Sequence, residues 1–326
     1  MALKITIITP SFNQGAYLEQ TIDSVLSQNY QNLEYIIIDG GSTDNSPSII
    51  KKYEKHLAYW ISEKDRGQSH AINKGLQRAT GEIVNWLNSD DYYEQDALKI
   101  VSSAFADPAT NALLARSNII RKEKIIQQSS GTDVYAGNLA KTIGWARIDQ
   151  PETFFRRASY QQIGLLNESL HYVMDREWWI RYLFHFGLSG IKKIDYNVVN
   201  FRHHDNSKTE TRKDAFIEEN IFLFWSLAKQ YGLELQQDLM HKMFFKPRHL
   251  EPLIFKNVDS ALVTTAMNYF LLLKADECYF QLKLKDAQKI LQEIDITLFQ
   301  EEDKKLFKKL YFRARFIPSF ILKALR

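Results

Sequence analysis

The chain has 326 residues, 45% of them hydrophobic, which suffices for one large domain and a smaller one without disulfide or metal staples. Its single cysteine, Cys278, excludes an internal disulfide and a multi-cysteine metal centre and fits a reducing compartment, so a cytoplasmic location is expected. The formal charge of +3 is unevenly spread: residues 304–326 hold eight Lys or Arg and no acid, and with the net positive charge confined there and no recognition module, nucleic acid is not an expected partner.

The opening "MALKITIITPSFNQG" has a short apolar run broken at Pro10 and no small-residue cleavage site, so it reads as a first strand and not as a leader. No stretch reaches the roughly 18 uninterrupted apolar residues needed to span a bilayer. Residues 4–9 (KITIIT) and 33–39 (LEYIIID) are β-rich runs of the kind covered on both faces, and "AYLEQTIDSVLSQ" between them sets Leu18, Ile22, Val25 and Leu26 at helical spacing. Strand, helix, strand predicts a parallel α/β sheet. The alternation continues through a helix in "STDNSPSIIKKYEKH", a short strand "AYWIS", a helix in "QSHAINKGLQRA" and the apolar run "EIVNWL". From about 108 to 157 the pattern weakens into short strands. A strand at "PETFF", a helix starting near Asp175 and two strands in "GIKKIDYNVVNFRHHDNS" follow, and after about 212 the pattern is helical to the end.

In open α/β sheets ligands bind beyond the carboxyl ends of the strands. Thr9–Asn13, Asp39–Asp44, Glu63–Gly67 and Asn88–Asp91 all fall there. Asp39, followed by "GGSTD", suits either a base-reading carboxylate or a turn acid, with Ser42 or Thr43 able to cap the next helix. The adjacent Asp90 and Asp91 suit a divalent cation that also takes phosphate oxygens, or else a surface turn. Asp175 at a helix start is stabilised as an anion by the helix dipole, the form a general base needs. Arg202 and His204 at a strand end suit a diphosphate or a metal. No G-x-G-x-x-G follows a strand and no G-x-x-x-x-G-K-[ST] occurs, which removes the main support for dinucleotide oxidoreductase and P-loop readings.

Taken as an ordered series, "ITIITPSFNQGAYLEQTIDSVLSQ", "EYIIIDGGSTDNS", "EKDRGQSHAINKGLQRATGEIVNWLNSDD", "QPETFFRR" and "GLLNESLHYVMDREWWIRY" resemble the family 2 inverting glycosyltransferases with a GT-A fold, over residues 3 to about 205. The resemblance implies a Rossmann-like mixed sheet flanked by helices in an α/β catalytic domain, residues 1–210; the helical pattern beyond it reads as a subdomain 211–303 and a basic tail 304–326. The resemblance also implies transfer of a sugar, with inversion, from a UDP-sugar donor to a hydroxyl of a saccharide or lipid-linked acceptor in surface polysaccharide or glycolipid assembly. Carried over by position, Pro10, Phe12 and Asn13 line the nucleoside pocket, Asp39 reads the base, Asp65 and Arg66 help hold the nucleotide, and Asp90 meets the ribose. Asp91 and His204 hold Mn²⁺ or Mg²⁺, Asp175 is the catalytic base, and Gln150, Glu152 and Trp178 face the acceptor. Two positions depart from the family pattern: Asn88 replaces the first acid of a D-x-D, and Met174 replaces a Glu beside the base.

The end, "KKLFKKLYFRARFIPSFILKALR", interleaves apolar and basic residues as an interfacial helix does, with Pro318 set to break it, so contact with an anionic membrane surface on the cytoplasmic face competes with docking on the protein itself. A nucleotidyltransferase would show a Gly-rich basic loop after the first strand, which "TPSFNQGAY" lacks. A nucleotide-sugar-binding protein without activity has less reason to keep Asp39, Asp91 and Asp175 together.

Overall fold

The computed structural model describes residues 2–204, 207–244 and 251–317, and the chain forms two compact units, Met1–Asp133 with Arg147–Lys213 and Val134–Ala146 with Asp214–Arg326. The first unit holds β1 (Ile5–Ser11), α1 (Leu18–Leu26), β2 (Leu33–Asp39), α2 (Ser46–Lys52), β3 (Tyr59–Ser62), α3 (Gln68–Arg78), β4 (Ile83–Trp86), β5 (Tyr92–Tyr93), α4 (Ala97–Ala104), β6 (Ala112–Arg121) and β7 (Lys124–Gln128). The chain then gives α5 (Leu139–Gly144) to the second unit and returns with β8 (Thr153–Arg156), α6 (Arg157–Ile163), α7 (Met174–Phe186), β9 (Ile191–Arg202) and α8 (Lys208–Thr211).

The strands form one mixed sheet in the order β3-β2-β1-β4-β8-β6-β9-β5, with β7 paired to β6. β3, β2, β1 and β4 run parallel, so their carboxyl ends share one edge; β8 enters antiparallel beside β4 and turns the rest of the sheet. β1 is buried along its whole length and β2 from Glu34 onward, as their Ile-rich runs require, and α1 covers them with Leu18, Ile22 and Val25. α3 lies close on β1: a Cβ at Gly75 would stand 2.4 Å from Ile8 Cγ2, so any larger residue must push helix from sheet, at about 1–3 kcal/mol.

Two expectations change here. The segment read as two strands in "GIKKIDYNVVNFRHHDNS" is the single strand β9, whose turn-like Asp195-Tyr196-Asn197 is absorbed by irregular register against β6 between Leu114 and Ser117. The weakly patterned stretch before residue 130 contains the ten-residue β6 and its hairpin partner β7, turning through Lys122 and Glu123 with positive φ.

In the second unit α5 packs on α11 (Ser260–Phe280), preceded by α9 (Lys213–Gln230) and α10 (Glu234–Met243) and followed by α12 (Leu284–Gln292) and α13 (Glu301–Phe316). Phe224 stacks on Phe270 with ring centroids 3.8 Å apart, and Asn138, Lys141, Tyr269 and Asp303 make a buried polar network. α13 docks through Leu310 and Ala314 while Lys308, Lys309, Phe312, Arg313, Arg315 and Phe316 stay exposed. Pro318 and the rest of the basic tail lie outside the described residues. Among the described residues no helix is long and apolar enough to cross a membrane.

Candidate active site

The first loop beyond the sheet edge is stitched to the second. Asn13, at φ 52°, accepts from Thr43 N through Oδ1 (2.9 Å) and donates its own backbone N–H to Ser42 Oγ (2.7 Å), while Gly15 N donates to Asp44 Oδ2 (2.9 Å). Pro10 is buried at the end of β1 and Phe12 stands 59% exposed beyond it, so the apolar face available to a ligand on this side belongs to Phe12. Asp65 accepts from Gly67 N (2.8 Å) and lies over Gly40, where a Cβ would come within 2.7 Å of its Oδ2; the second glycine loop is therefore small because Asp65 needs the room. Arg66 pairs with Glu168 (2.5 Å), which Asn73 also bonds (3.0 Å), so in this structure its guanidinium joins the loop ahead of α7.

Of the two readings open for Asp39, the turn acid has its partners in this structure. It is fully buried and accepts from Ser42 N (2.9 Å), Ser42 Oγ (2.5 Å), Ser62 Oγ (2.6 Å) and Gly41 N (3.2 Å). Here the carboxylate organises the turn after β2, and Ser42 is engaged by it and does not cap α2.

The acid pair sits where β4, β9 and the approach to β5 meet. Asp91 is 1% exposed; its Oδ1 accepts from Arg202 N (2.9 Å) and its Oδ2 from Asn88 Nδ2 (3.3 Å). Burial, then the neighbouring Asp90 charge, hold Asp91 well above the usual carboxylate range. Asp90 is more open, and its Oδ2 meets His204 Nε2 at 3.1 Å. Arg202, 3% exposed, donates through Nη1 to Asp90 O (2.6 Å) and through Nη2 to Gln20, and its guanidinium lies 4.8 Å from the Tyr17 ring centroid and 5.0 Å from that of Tyr92. The His204 ring packs on Tyr17 at 4.6 Å. The carboxylate that opens toward an imidazole is therefore Asp90, and Asp91 is the buried anchor beneath it. Among the described residues no group of three His, Cys, Asp or Glu side chains forms a self-sufficient metal site. An oxygen and an imidazole nitrogen 3.1 Å apart fit a hard cation that brings phosphate oxygens and water for its remaining positions.

On the other side, the loop before β8 carries Asp149, Gln150 and Glu152. Gln150 is buried and its amide nitrogen donates to Asn85 Oδ1 (2.8 Å) and Trp86 O (2.9 Å), so that nitrogen ties the loop to β4 instead of facing an acceptor. Glu152, 1% exposed, accepts from Ser117 Oγ (3.2 Å); burial and then the Asp149 charge raise it well above the usual carboxylate range. Asp149 bonds Ser129 and pairs with Arg147 Nε (3.1 Å).

Asp175 occupies the first turn of α7, half-buried, with Arg176 N donating to its Oδ1 (2.7 Å). Burial pushes it up to about 6 against the opposing backbone N–H groups, and Asp149 adds repulsion. It is an anion at neutral pH yet close enough to its titration to take a proton, which is what a general base requires. Trp178 is corrected: at 1% exposure it stacks on Tyr160 (4.2 Å), meets Phe155 edge-on (4.7 Å) and donates Nε1–H to Gly164 O (2.8 Å), leaving no face for a sugar. α7 buries residues all round, so neither Trp178 nor Trp179 reaches the surface. Tyr17, Gln68 and Asp149 touch or act on these groups without having been singled out in the sequence: Tyr17 and Gln68 sit inside the quoted motifs, but nothing in their spacing ties them to residue 204 or 88.

Apart from Arg202 and His204, these features lie within a match of residues 6–181 to the family model described as Glycosyl transferase family 2. The chain belongs to that family. Glycosyltransferase GlyA of Streptococcus pneumoniae is 39% identical over 95 residues, 28% of this chain and 14% of that protein. TuaG of Bacillus subtilis, a glycosyltransferase assigned to teichuronic acid biosynthesis, is 41% identical over 100 residues, 29% of this chain and 39% of its own. The chain thus spans well under half the length of these relatives. The structure of S. aureus TarS 1-349 in complex with UDP-GlcNAc superposes with a TM-score of 0.60 at 17% identity, covering 96% of this chain and 87% of that one. The mannosyltransferase PcManGT from Pyrobaculum calidifontis, in complex with GDP-Man and Mn²⁺, gives 0.51 at 18% identity, covering 99% and 84%. At such identities the likeness speaks for the fold, a GT-A-type mixed sheet flanked by helices.

Proposed function

We propose that this family 2 glycosyltransferase moves a sugar, with inversion, from a UDP-sugar to a hydroxyl of a saccharide or lipid-linked saccharide in surface polysaccharide or glycolipid assembly. The observation that carries the reading is Asp175: a half-buried carboxylate on the first turn of α7, held by a backbone N–H and raised to about 6. The acceptor oxygen attacks the anomeric carbon from the face opposite the diphosphate, its proton passes to an Asp175 carboxylate oxygen, and the bond to the diphosphate oxygen breaks with its electron pair leaving on UDP. The acid pair receives the donor's diphosphate, Phe12 and Asn13 the nucleoside, and the Asp149–Glu152 loop the acceptor. A bound Mn²⁺ or Mg²⁺, held by Asp90 and His204, would supply Lewis-acid stabilisation of the leaving diphosphate. UDP is favoured by the UDP-GlcNAc held by the TarS fold neighbour, and the cation by the Mn²⁺ in PcManGT.

A UDP-release assay over a panel of UDP-sugars, with Mn²⁺, Mg²⁺ or EDTA, tests this. Release from one donor that EDTA abolishes and Asp175→Asn removes is the expected result. Absence of release together with absence of UDP and GDP binding would end the reading, whereas nucleotide binding without turnover would point to a non-catalytic binding protein.

Catalysis is assigned to the sheet-bearing unit, within residues 1–210, and the helical residues 211–303 are assigned no chemistry. The exposed Lys308, Lys309, Phe312, Arg313, Arg315 and Phe316 of α13 give the tail its proposed partner, an anionic membrane surface at the cytoplasmic face. Replacing the four basic residues with Gln spares the buried Leu310 and Ala314 and is expected to weaken sedimentation with phosphatidylglycerol vesicles; undiminished binding would discard the partner.

A further inference from the structure

The imidazole and guanidinium beside the acid pair come from the end of β9, and the residues that brace them come from the start of α1. Thr21, fully buried, donates its hydroxyl to Asp91 O (2.7 Å) and Ser89 O (3.0 Å), which ties the loop carrying Asp90 and Asp91 to the helix. One turn earlier, Tyr17 presents its ring to both side chains from β9: the His204 ring lies 4.6 Å away, tilted by 34°, and the Arg202 guanidinium 4.8 Å away. Tyr17 is itself fixed from behind. Its N–H and that of Leu18 both donate to Gln14 O (2.9 Å each), its carbonyl accepts from Thr21 N (3.2 Å), and the fully buried Leu18 anchors the turn in the core. His204, by contrast, stands beyond the last residue of β9. Its Nε2 meets Asp90 Oδ2 at 3.1 Å, its buried Nδ1 has no hydrogen-bond partner among the described residues, and the ring packed on it is that of Tyr17. One hydrogen bond leaves an imidazole able to turn about it, and a ring face against it removes that freedom.

We propose that Tyr17 is a positioning residue of the acid-pair site, its ring holding the His204 imidazole at Asp90 for the cation that the two share. The inference rests on the cation reading above and adds to it a residue that the pattern of acids does not point to. Two observations support it. Asp90 and His204 are 114 residues apart in the chain, so the distance between their oxygen and nitrogen is set by what each is packed against, and a cation that takes both binds more tightly when neither has to be ordered first. Tyr17 braces the other half of the pair as well: the guanidinium it faces bonds Gln20 on α1 and donates to Asp90 O (2.6 Å), which fixes the main chain from which the Asp90 carboxylate hangs. Packing on an imidazole and attraction of a guanidinium are both properties of the π-face, so the ring carries the role and the hydroxyl does not.

The test compares wild type with Tyr17→Ala, Tyr17→Leu and Tyr17→Phe in the full chain. Mn²⁺ is titrated by loss of its free-ion paramagnetic resonance signal, with and without UDP or GDP, and uridine and guanosine are titrated by NMR, with thermal unfolding as the check on folding. Tyr17 is half-buried, and Tyr17→Leu keeps apolar bulk at the position should Tyr17→Ala unfold. Tyr17→Ala and Tyr17→Leu are each expected to weaken Mn²⁺ binding about tenfold with nucleoside affinity unchanged, and Tyr17→Phe to restore it to within about twofold of wild type. Mn²⁺ affinity equal to wild type in Tyr17→Leu, a Tyr17→Phe as weak as Tyr17→Leu, or an equal loss for Mn²⁺ and nucleoside overturns the proposal alone. A wild type that binds no Mn²⁺, with or without a nucleoside diphosphate, overturns the cation reading and this proposal with it.

Discussion

Two buried polar networks, one in each unit, are built from similar groups and balanced differently. In the helical unit Asp303 accepts from Lys141 Nζ (2.5 Å) and Tyr269 O–H (2.8 Å), and Tyr269 accepts from Asn138 (2.8 Å): one cation, one anion, both carboxylate oxygens bonded. In the sheet unit two carboxylates stand side by side, Asp91 accepting only the main-chain N–H of Arg202 and the amide of Asn88; Asp91 is raised by burial and by its neighbour, and the buried His204 Nδ1 has no hydrogen-bond partner among the described residues. A closed, neutral network is what stability requires, since breaking a buried pair is costly and little else recommends one. An acid pair with excess negative charge and an orphaned imidazole nitrogen is a site shaped for something the chain alone does not provide.

The contrast can be broken from either side. The largest effect is expected at Asp175: Asp175→Asn removes the base and is expected to lower turnover about a thousandfold without lowering stability in urea unfolding. In the wild type, activity requires the ionised form, so the rate is expected to fall as pH drops through about 6 and to level off above it. Rates independent of pH between 5 and 8 would remove Asp175 from that role.

Asp303→Ala leaves Lys141 and Tyr269 without their acceptor and is expected to cost about 3 kcal/mol in urea unfolding, with nucleotide affinity per folded molecule unchanged. Loss of affinity without loss of stability would mean that the closed network also serves the site.

A third structural group, Glu34, sharpens the acid side. Burial raises it, but bonds from Lys4 (2.8 Å), Thr6 (2.6 Å) and Thr80 outweigh burial and bring it from 4.5 to about 2. A depressed carboxyl stabilises the fold above its unfolded value and ceases to do so as pH falls from 4.5 through 2. About 2 kcal/mol is expected to disappear over that window, and Glu34→Gln is expected to flatten the loss, as read by chemical unfolding at stepped pH.

The smallest effect has the opposite sign. Asp90→Asn relieves the repulsion on Asp91 and is expected to raise stability by about 1 kcal/mol while abolishing metal-dependent turnover. A destabilised Asp90→Asn would show that the pair is structural, like its counterpart in the helical unit.

Much of this arrangement was legible before any coordinates. The parallel half of the sheet, its covering helices and the loops at its carboxyl edge follow from runs such as "KITIIT" and "LEYIIID" and the helical spacing of Leu18, Ile22 and Val25, because burial on two faces and on one face leaves distinct periodicities. β9 escaped as a single strand because its exposed first half carries Asp195-Tyr196-Asn197, a turn composition that irregular pairing with β6 overrides. Trp178 was misread because a helix covered all round looks, in sequence, like one with an aromatic to spare.

The sequence by itself determined the family and the acids at Asp39, Asp90, Asp91 and Asp175, since these are properties of local order and of loops at strand ends. Only the tertiary structure decided what each acid faces: Ser42 and Ser62 close over Asp39, His204 meets Asp90, and Arg202 and Asn88 hold Asp91. The partners lie up to 114 residues away along the chain, and a carboxylate's chemistry is set by the donors and charges brought within hydrogen-bonding distance, which no spacing in the sequence encodes.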